Sequence, residues 1–287
     1  MKITKAIIPV AGFGTRFLPI TKTINKSMLP VLNRPVVDYV VDDCIRGGIT
    51  DIYFVVLPGE TQLRNYYTRN ETLEKYLLAR NAKDKLKLIQ DIHQKAKFHF
   101  IEQPQDGRYG TAIPPLLVQE YIEKNEHFLV LMGDDFIWRK DGGSEIGDMI
   151  DACQKANTNS MMAAGSVAKD HVSRYGVLAY SQNNEHMVFR EIIEKPSIQS
   201  APSNLINISK YLFDYDIFSY LRRVKPTNEA GEYYIVDAIN EYVANKHSIG
   251  IHKIKGEYLD AGTVEGLLHA NDVVALDTNV SRRDISK

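Results

Sequence analysis

Ala6-Ile7-Ile8-Pro9-Val10 is a short, nearly continuous apolar run that stops at glycines, the pattern of a parallel strand buried on both faces. The loop that follows therefore falls at the strand's carboxyl end. From Pro35, apolar residues recur with helical spacing at Val36, Val37, Val40, Val41 and Ile45 until Gly47-Gly48 stops them, and residues 52–57 read as the next buried strand. These segments make a βαβ unit. The pattern then repeats, with a charged helical stretch over 60–97, a strand at 98–101, a helix after Gly110 and a strand at 128–132. Pro114-Pro115 fits the first turn of that helix, where the missing N–H groups have no helical partner anyway. Such alternation predicts an α/β fold, a doubly wound and mostly parallel sheet of Rossmann-like type, with ligands beyond the carboxyl ends of its strands.

After residues 161–167 the texture changes to short strand-like runs at 175–180, 187–194 and 204–213, with the polar turn Ser181-Gln182-Asn183-Asn184 between the first two. This predicts an antiparallel excursion that walls one side of the site. Helices near 214–223 and 234–245, a strand at 249–254 and a final helix from Thr263 to about Leu276 complete the chain, and 281–287 reads as a frayed tail.

Composition narrows the partners. With 35 basic and 36 acidic residues there is no global field to hold nucleic acid, so an anionic ligand should be small and held locally. The two cysteines, Cys44 and Cys153, are too far apart to suggest a metal knuckle or redox pair and read as small buried apolar residues. The segment before the first strand is too short for a signal-peptide core or a membrane span, so a cytoplasmic protein with no membrane partner is expected. At 287 residues one elaborated domain with one active site is the simplest reading.

The chemistry-bearing residues gather after strands. Ala11-Gly12-Phe13-Gly14-Thr15-Arg16 follows the first strand, so backbone N–H groups can converge on an anion and Arg16 can grip polyphosphate; a tight strand-to-helix turn with a solvated arginine is the alternative. The loop is not a P-loop, which needs Gly-Lys-Ser/Thr, and it lacks the third glycine of the dinucleotide fingerprint. Lys26 follows in Asn25-Lys26-Ser27-Met28-Leu29-Pro30, placed to neutralise phosphate, whereas Lys22 reads as a surface cation. Gly133-Asp134-Asp135 ends the fourth strand and Asp260 ends a second strand-to-turn unit. Their hard oxygens suit Mg²⁺ shared with phosphate, or simply cap the next turn. Glu194-Lys195-Pro196 offers an acid for hydroxyl groups and a base for a phosphate, or else a surface ion pair. The eight histidines form no HxxxH or HxH cluster, which speaks against zinc chemistry.

Taken in order, these motifs, together with Tyr175-Gly176-Val177, Ala201-Pro202-Ser203-Asn204-Leu205 and Asp260-Ala261-Gly262, resemble those of the sugar nucleotidyltransferases, most closely the bacterial glucose-1-phosphate uridylyltransferases, from Lys5 to about Ala275. The resemblance implies one nucleotidyltransferase domain over 1–287, with a nucleotide-binding half at about 1–135, a sugar-binding half at about 136–276 and a tail at 277–287. It implies UTP and glucose 1-phosphate as substrates, UDP-glucose as product, Mg²⁺ as cofactor, and a homodimer or homotetramer. Ala11, Gly12, Gly14, Thr15 and Gly110 would hold the nucleotide, with Gln103 reading the uracil edge. Arg16 and Lys26 would hold the triphosphate and, with Lys195, act in catalysis. Gly176 and Glu194 would contact the sugar, Lys195 its phosphate, and Asp134 and Asp260 the Mg²⁺.

Four stretches depart from that family's pattern. Ser27 stands where Glu is usual, Arg108-Tyr109-Gly110-Thr111-Ala112 replaces Gly-Leu-Gly-His-Ala, Ser209 replaces the Gly before Lys210-Tyr211, and Glu232-Tyr233-Tyr234-Ile235-Val236-Asp237 replaces Glu-Ile-Gln-Leu-Thr-Asp. These leave open another sugar 1-phosphate or dTTP, and a regulatory paralogue that binds nucleotide sugar without turnover. A NAD-dependent oxidoreductase would need an acid ending the second strand, where Val55-Val56-Leu57-Pro58 stands instead.

Overall fold

The computed structural model describes residues 3–183, 186–226 and 231–278. The first apolar run lies in β1 (Ile3–Pro9), and a small ribbon of β2 (Pro30–Val31) and β3 (Arg34–Pro35) delivers the chain into α1 (Val36–Arg46). β4 (Asp51–Val56) follows. The charged stretch expected to be helical over 60–97 is instead broken into α2 (Gln62–Tyr66), α3 (Glu71–Ala79) and α4 (Lys83–Lys87). The reason is the lack of an apolar face: α3 buries only Glu74 and Leu77 and α4 buries nothing. Local signals then decide, with Asn70 accepting from Leu73 N at 3.0 Å to start α3 and Asn81 in a left-handed conformation after it.

β5 (Lys97–Glu102), α5 (Ile113–Val118), β6 (His127–Leu131), β7 (Asp135–Trp138), α6 (Glu145–Lys155) and β8 (Ser160–Ser166) come next. α6 and β7 were not predicted. The signal for α6 is nevertheless present: Ser144 Oγ accepts from Gly147 N at 2.9 Å as an N-cap, and Ile146, Met149 and Cys153 recur on the buried face. β9 (Gly176–Asn183) and β10 (His186–Glu194) form the antiparallel pair, so residues 181–183 belong to a strand rather than a turn, and Asn184 lies outside the described residues. β11 (Leu205–Asp214), α7 (Ile217–Leu221), α8 (Ile235–Ala244), β12 (Ile249–Lys253), β13 (Glu257–Asp260) and α9 (Val264–Asp277) complete the order. Asp277 belongs to that helix and not to a tail, because its carboxylate accepts from Trp138 Nε1 at 2.9 Å; residues 279–287 lie outside the described residues.

Among the described residues the main sheet has nine strands in the order β5-β4-β1-β6-β11-β8-β12-β10-β9. The first four are parallel, as expected. The antiparallel part begins in mid-sheet, where β11 runs against both β6 and β8. The parallel strands are apolar on both faces because both are covered. Ile8, Phe54 and Leu129 join α1 and α6 in one apolar layer, while Ile7, Val55 and Val130 join α5, α7 and α8 in the other. Cys44 and Cys153 are buried and free, and no helix among the described residues is long and apolar enough to cross a membrane.

One position tests how tightly local geometry binds the sequence. Lys246, exposed just past α8, has φ 72°, and its N–H donates to Val243 O at 3.0 Å. A side chain in that conformation costs energy that glycine avoids, so Lys246→Gly should raise stability by about 0.5–1 kcal/mol in urea unfolding. A loss of stability would show that the lysine side chain holds a contact of its own.

Candidate active site

The glycine loop starts where β1 ends, and Val10 N still donates to Val55 O at 2.8 Å, so residues 11–14 leave a rigid edge. Gly14 is left-handed, with φ 63°, and a Cβ there would lie 2.9 Å from Lys26 Cβ; a Cβ on Gly12 would lie 3.7 Å from Lys26 Nζ. The loop is thus bare so that Lys26 can lie against it. Asn25 holds that lysine in place: its Nδ2 donates to Val10 O at 2.9 Å and its Oδ1 accepts from Ser27 N at 2.9 Å. Ser27 itself is fully buried, and its hydroxyl has no hydrogen-bond partner.

Lys26 Nζ reaches 2.5 Å from Asp134 Oδ2. Asp134 follows Gly133, where a Cβ would lie 2.6 Å from Val10 Cγ1, so the chain after β6 passes directly over the end of β1. Antiparallel pairing of β13 with β7 sets Asp260 opposite Asp135, beside Asp134. A Cβ on Gly262 would lie 3.0 Å from both Asp134 Oδ2 and Asp260 Oδ1, so two carboxylates face a space that only glycine leaves open. Burial alone would raise the Asp134 carboxyl, but Lys26 beside it and Lys210 behind it hold it below the usual carboxylate range.

Asp135 plays a different part. Its carboxylate pairs with the buried Lys210 ammonium, which also donates to Asp135 O at 3.2 Å and Met132 O at 3.4 Å, and Tyr258 OH donates to Asp135 Oδ2 at 3.0 Å. Burial pulls Lys210 down to about 8, against the pull of the carboxylates around it. Asp135 is therefore consumed internally, and Asp134 and Asp260 remain for a ligand.

The opposite wall begins at Gln103, whose N–H extends the β4–β5 pairing by donating to Val56 O at 2.9 Å. Its Nε2 donates to Arg108 O at 3.4 Å. Arg108 is tied to Asp106 at 2.6 Å, and Gly110 is required twice over, by its φ of 115° and by the Tyr233 backbone, 2.5 Å from where a Cβ would lie. Between the walls lies a cleft of about 710 Å³. Ala11, Gly12, Gly14, Thr15, Lys26, Gln103, Gly110 and Asp134 all line it, as does Glu232, to which the sequence reading gave no role in the site.

Arg16 is exposed on the 3-10 turn Thr15–Phe17 and is not part of that lining. Gly176, Glu194 and Lys195 form a separate group on the antiparallel side. Gly176 sits opposite Glu194, and a Cβ there would lie 3.0 Å from Glu194 Oε2; Lys195, at φ 44°, donates its N–H to Tyr175 O at 3.0 Å. β11 connects this group to the carboxylates, since Asn207 lies beside Gly176 and Lys210 beneath Asp135. Lys210 could have been found in the sequence: a lysine inside the apolar run of β11 must have a buried partner.

A second acidic cluster lies elsewhere. Asp214, Asp216 and His247 bring ligand atoms within 4.8 Å of one another. Asp214 is paired with His127 at the amino end of β6, the edge opposite the cleft, and its carboxylate already accepts from Tyr242 OH at 2.9 Å and Asp216 N at 3.1 Å.

Comparison with known proteins gives one consistent picture. The nucleotidyl transferase family matches residues 5–276. A UTP:glucose-1-phosphate uridylyltransferase of Mycoplasma genitalium is 32% identical over 289 residues, covering 100% of this chain and 95% of that protein. Among solved structures, a UTP-bound UGPase from Acinetobacter baumannii is similar with TM-score 0.87 at 28% identity, over 96% of this chain and 94% of that one. A UDP-glucose pyrophosphorylase complexed with UDP-glucose gives TM-score 0.83 at 32% identity, over 96% and 99%.

Proposed function

The chain belongs to the nucleotidyl transferase family, and from that premise we propose that it is a UTP:glucose-1-phosphate uridylyltransferase, joining the uridylyl group of UTP to glucose 1-phosphate with release of pyrophosphate. The observation that carries this reading is the convergence of the bare glycine loop, Lys26 and Asp134 in one cleft whose far wall is Gln103.

UTP would lie with its phosphates along residues 11–15, where N–H groups and Lys26 meet negative charge. With Nε2 donating to Arg108 O, the Gln103 Oε1 has no donor among the described residues and can act as an acceptor. That suits the N3–H of uracil and repels the N3 lone pair of cytosine. Asp134 and Asp260 fit Mg²⁺, because two hard carboxylates face the space beside Gly262 and one or two carboxylates plus phosphate oxygens are its usual set. When bound, the ion supplies neutralisation of phosphate charge. Glu194 and Gly176 would orient the sugar, and Lys195 its phosphate.

The sugar phosphate is already an anion near neutral pH, so attack on the α-phosphorus needs no protein base; alignment and charge neutralisation supply the rate. For this step Lys26 swings from Asp134 to the triphosphate, a short move because Nζ already lies against the glycine loop. Pyrophosphate release measured over four nucleoside triphosphates and several sugar 1-phosphates, with and without Mg²⁺, tests the reading. UTP with glucose 1-phosphate should be the best pair. Preference for dTTP or another sugar would redirect it, and tight UDP-glucose binding without turnover in any combination would replace it with a regulatory role.

A further inference from the structure

The two sides of the site are joined by one helix, and a single side chain takes part in each of its attachments. At the amino end of α8, Tyr234 supplies no side-chain cap; instead Ile235 N donates at 2.9 Å to Thr111 Oγ1, from 124 residues earlier in the chain. Thr111 lines the nucleotide cleft. The residues around it are zipped to the segment entering α8, since Tyr233 N donates to Tyr109 O and Ala112 N to Tyr233 O, both at 2.9 Å. The base-side loop therefore cannot shift without taking the first turn of α8 with it.

Farther along α8, Asn240 grips β10. Its Oδ1 accepts from Ile192 N at 3.0 Å and its Nδ2 donates to Ile192 O at 3.3 Å, doing for that backbone what a neighbouring strand would do. Among the described residues β12 pairs with β10 at Met187 and Val188 and no farther, so Ile192, although in regular register with Leu178 of β9, has no strand on its other side. Ile192 and Glu194 converge on Gly176, where a Cβ would lie 2.9 Å from Ile192 Cγ2 and 3.0 Å from Glu194 Oε2. Between its two attachments α8 buries Ile235, Ala238 and Ile239, which makes it a stiff body rather than a tether.

We propose that α8 is a strut fixing the distance between the nucleotide and sugar-phosphate subsites, with Thr111 and Asn240 as positioning residues at its two attachments. The proposal rests on the reading of the site given above. Its physical basis is that a subsite hung on a loosened strand must be ordered each time the sugar phosphate binds, a cost that weakens substrate affinity while the bound substrate, once seated, holds the strand in its reactive place.

Steady-state kinetics of the full chain with UTP and glucose 1-phosphate test this. Asn240→Ala should raise KM for glucose 1-phosphate about tenfold, with KM for UTP and kcat within about twofold. Thr111→Val should raise KM for glucose 1-phosphate as well, although Thr111 lines the nucleotide cleft, and Thr111→Ser, which keeps the hydroxyl, should restore it. The double variant should be little worse than the weaker single, because both act through one helix. An unchanged KM for glucose 1-phosphate in Asn240→Ala, an effect of Thr111→Val on UTP alone, or fully multiplicative effects in the double variant would overturn the proposal. If the Asn240→Ala chain fails to fold, the Thr111 series decides alone. A wild-type chain inactive with this substrate pair would instead overturn the functional reading.

Discussion

Asp134→Asn is expected to lower kcat by a factor of about 10²–10³ while the protein remains folded. Asparagine matches the shape of aspartate but removes the charge that would hold Mg²⁺ and the partner that parks Lys26. Stability should change little, because the pair is partly open to solvent, with side chains 25% and 21% exposed, and such pairs are worth about 1 kcal/mol or less. The sign of the pH effect follows from the direction of the shift. A carboxyl held below its ordinary value contributes stability above that value and loses it as pH falls through the lowered one, so only at acid pH should variant and parent converge in stability. Mn²⁺ binding followed by electron paramagnetic resonance separates the metal role from the kinetics. Near-normal rates together with normal Mn²⁺ binding would remove Asp134 from the metal site.

Lys210→Met is expected to cost about 3–5 kcal/mol of stability, a fall of roughly 10 °C in Tm, because it strands the Asp135 carboxylate in the interior. The lysine is 2% exposed and Asp135 6%, so water cannot replace the lost partner. Removing both charges in Lys210→Met/Asp135→Asn should recover much of that loss, since the amide oxygen introduced by the second substitution can still accept from Tyr258 OH. Differential scanning calorimetry of the single and double variants decides it. A single variant within about 1 kcal/mol of the parent would mean that the pair is not held as described.

These two residues mark what the sequence could and could not disclose. The parallel strands were legible because strands covered on both faces must be continuous apolar runs, as in 6–10, 52–57 and 128–132. Ala11, Gly12, Gly14 and Asp134 stand out because ligands in this fold class gather beyond strand ends, Lys26 because it follows the glycine loop, and Gln103 and Gly110 only through the family resemblance; the structure lines one cleft with all seven. The division of labour between Asp134 and Asp135 was not legible. It depends on Lys210 and Tyr258, which reach Asp135 across 75 and 123 residues of sequence. The charged helical stretch expected over 60–97 is divided into three short helices because little apolar face exists to hold a continuous one. α6 was missed for the opposite reason, its cap and apolar spacing being present but unread between two acidic motifs. Asn240 had no local signal at all, and Thr111 and Glu232 stood out only as parts of stretches that depart from the family's pattern. Their contacts join segments about 50 to 125 residues apart, and only the folded sheet brings them together.

The central claim is that this cleft transfers a uridylyl group to glucose 1-phosphate, and the most direct measurement follows the α-phosphorus itself. Purified protein incubated with UTP labelled at the α-phosphate, glucose 1-phosphate and Mg²⁺ should place the label in UDP-glucose, mole for mole with the pyrophosphate released. Label remaining in UTP, with UDP-glucose binding but never formed, would contradict it.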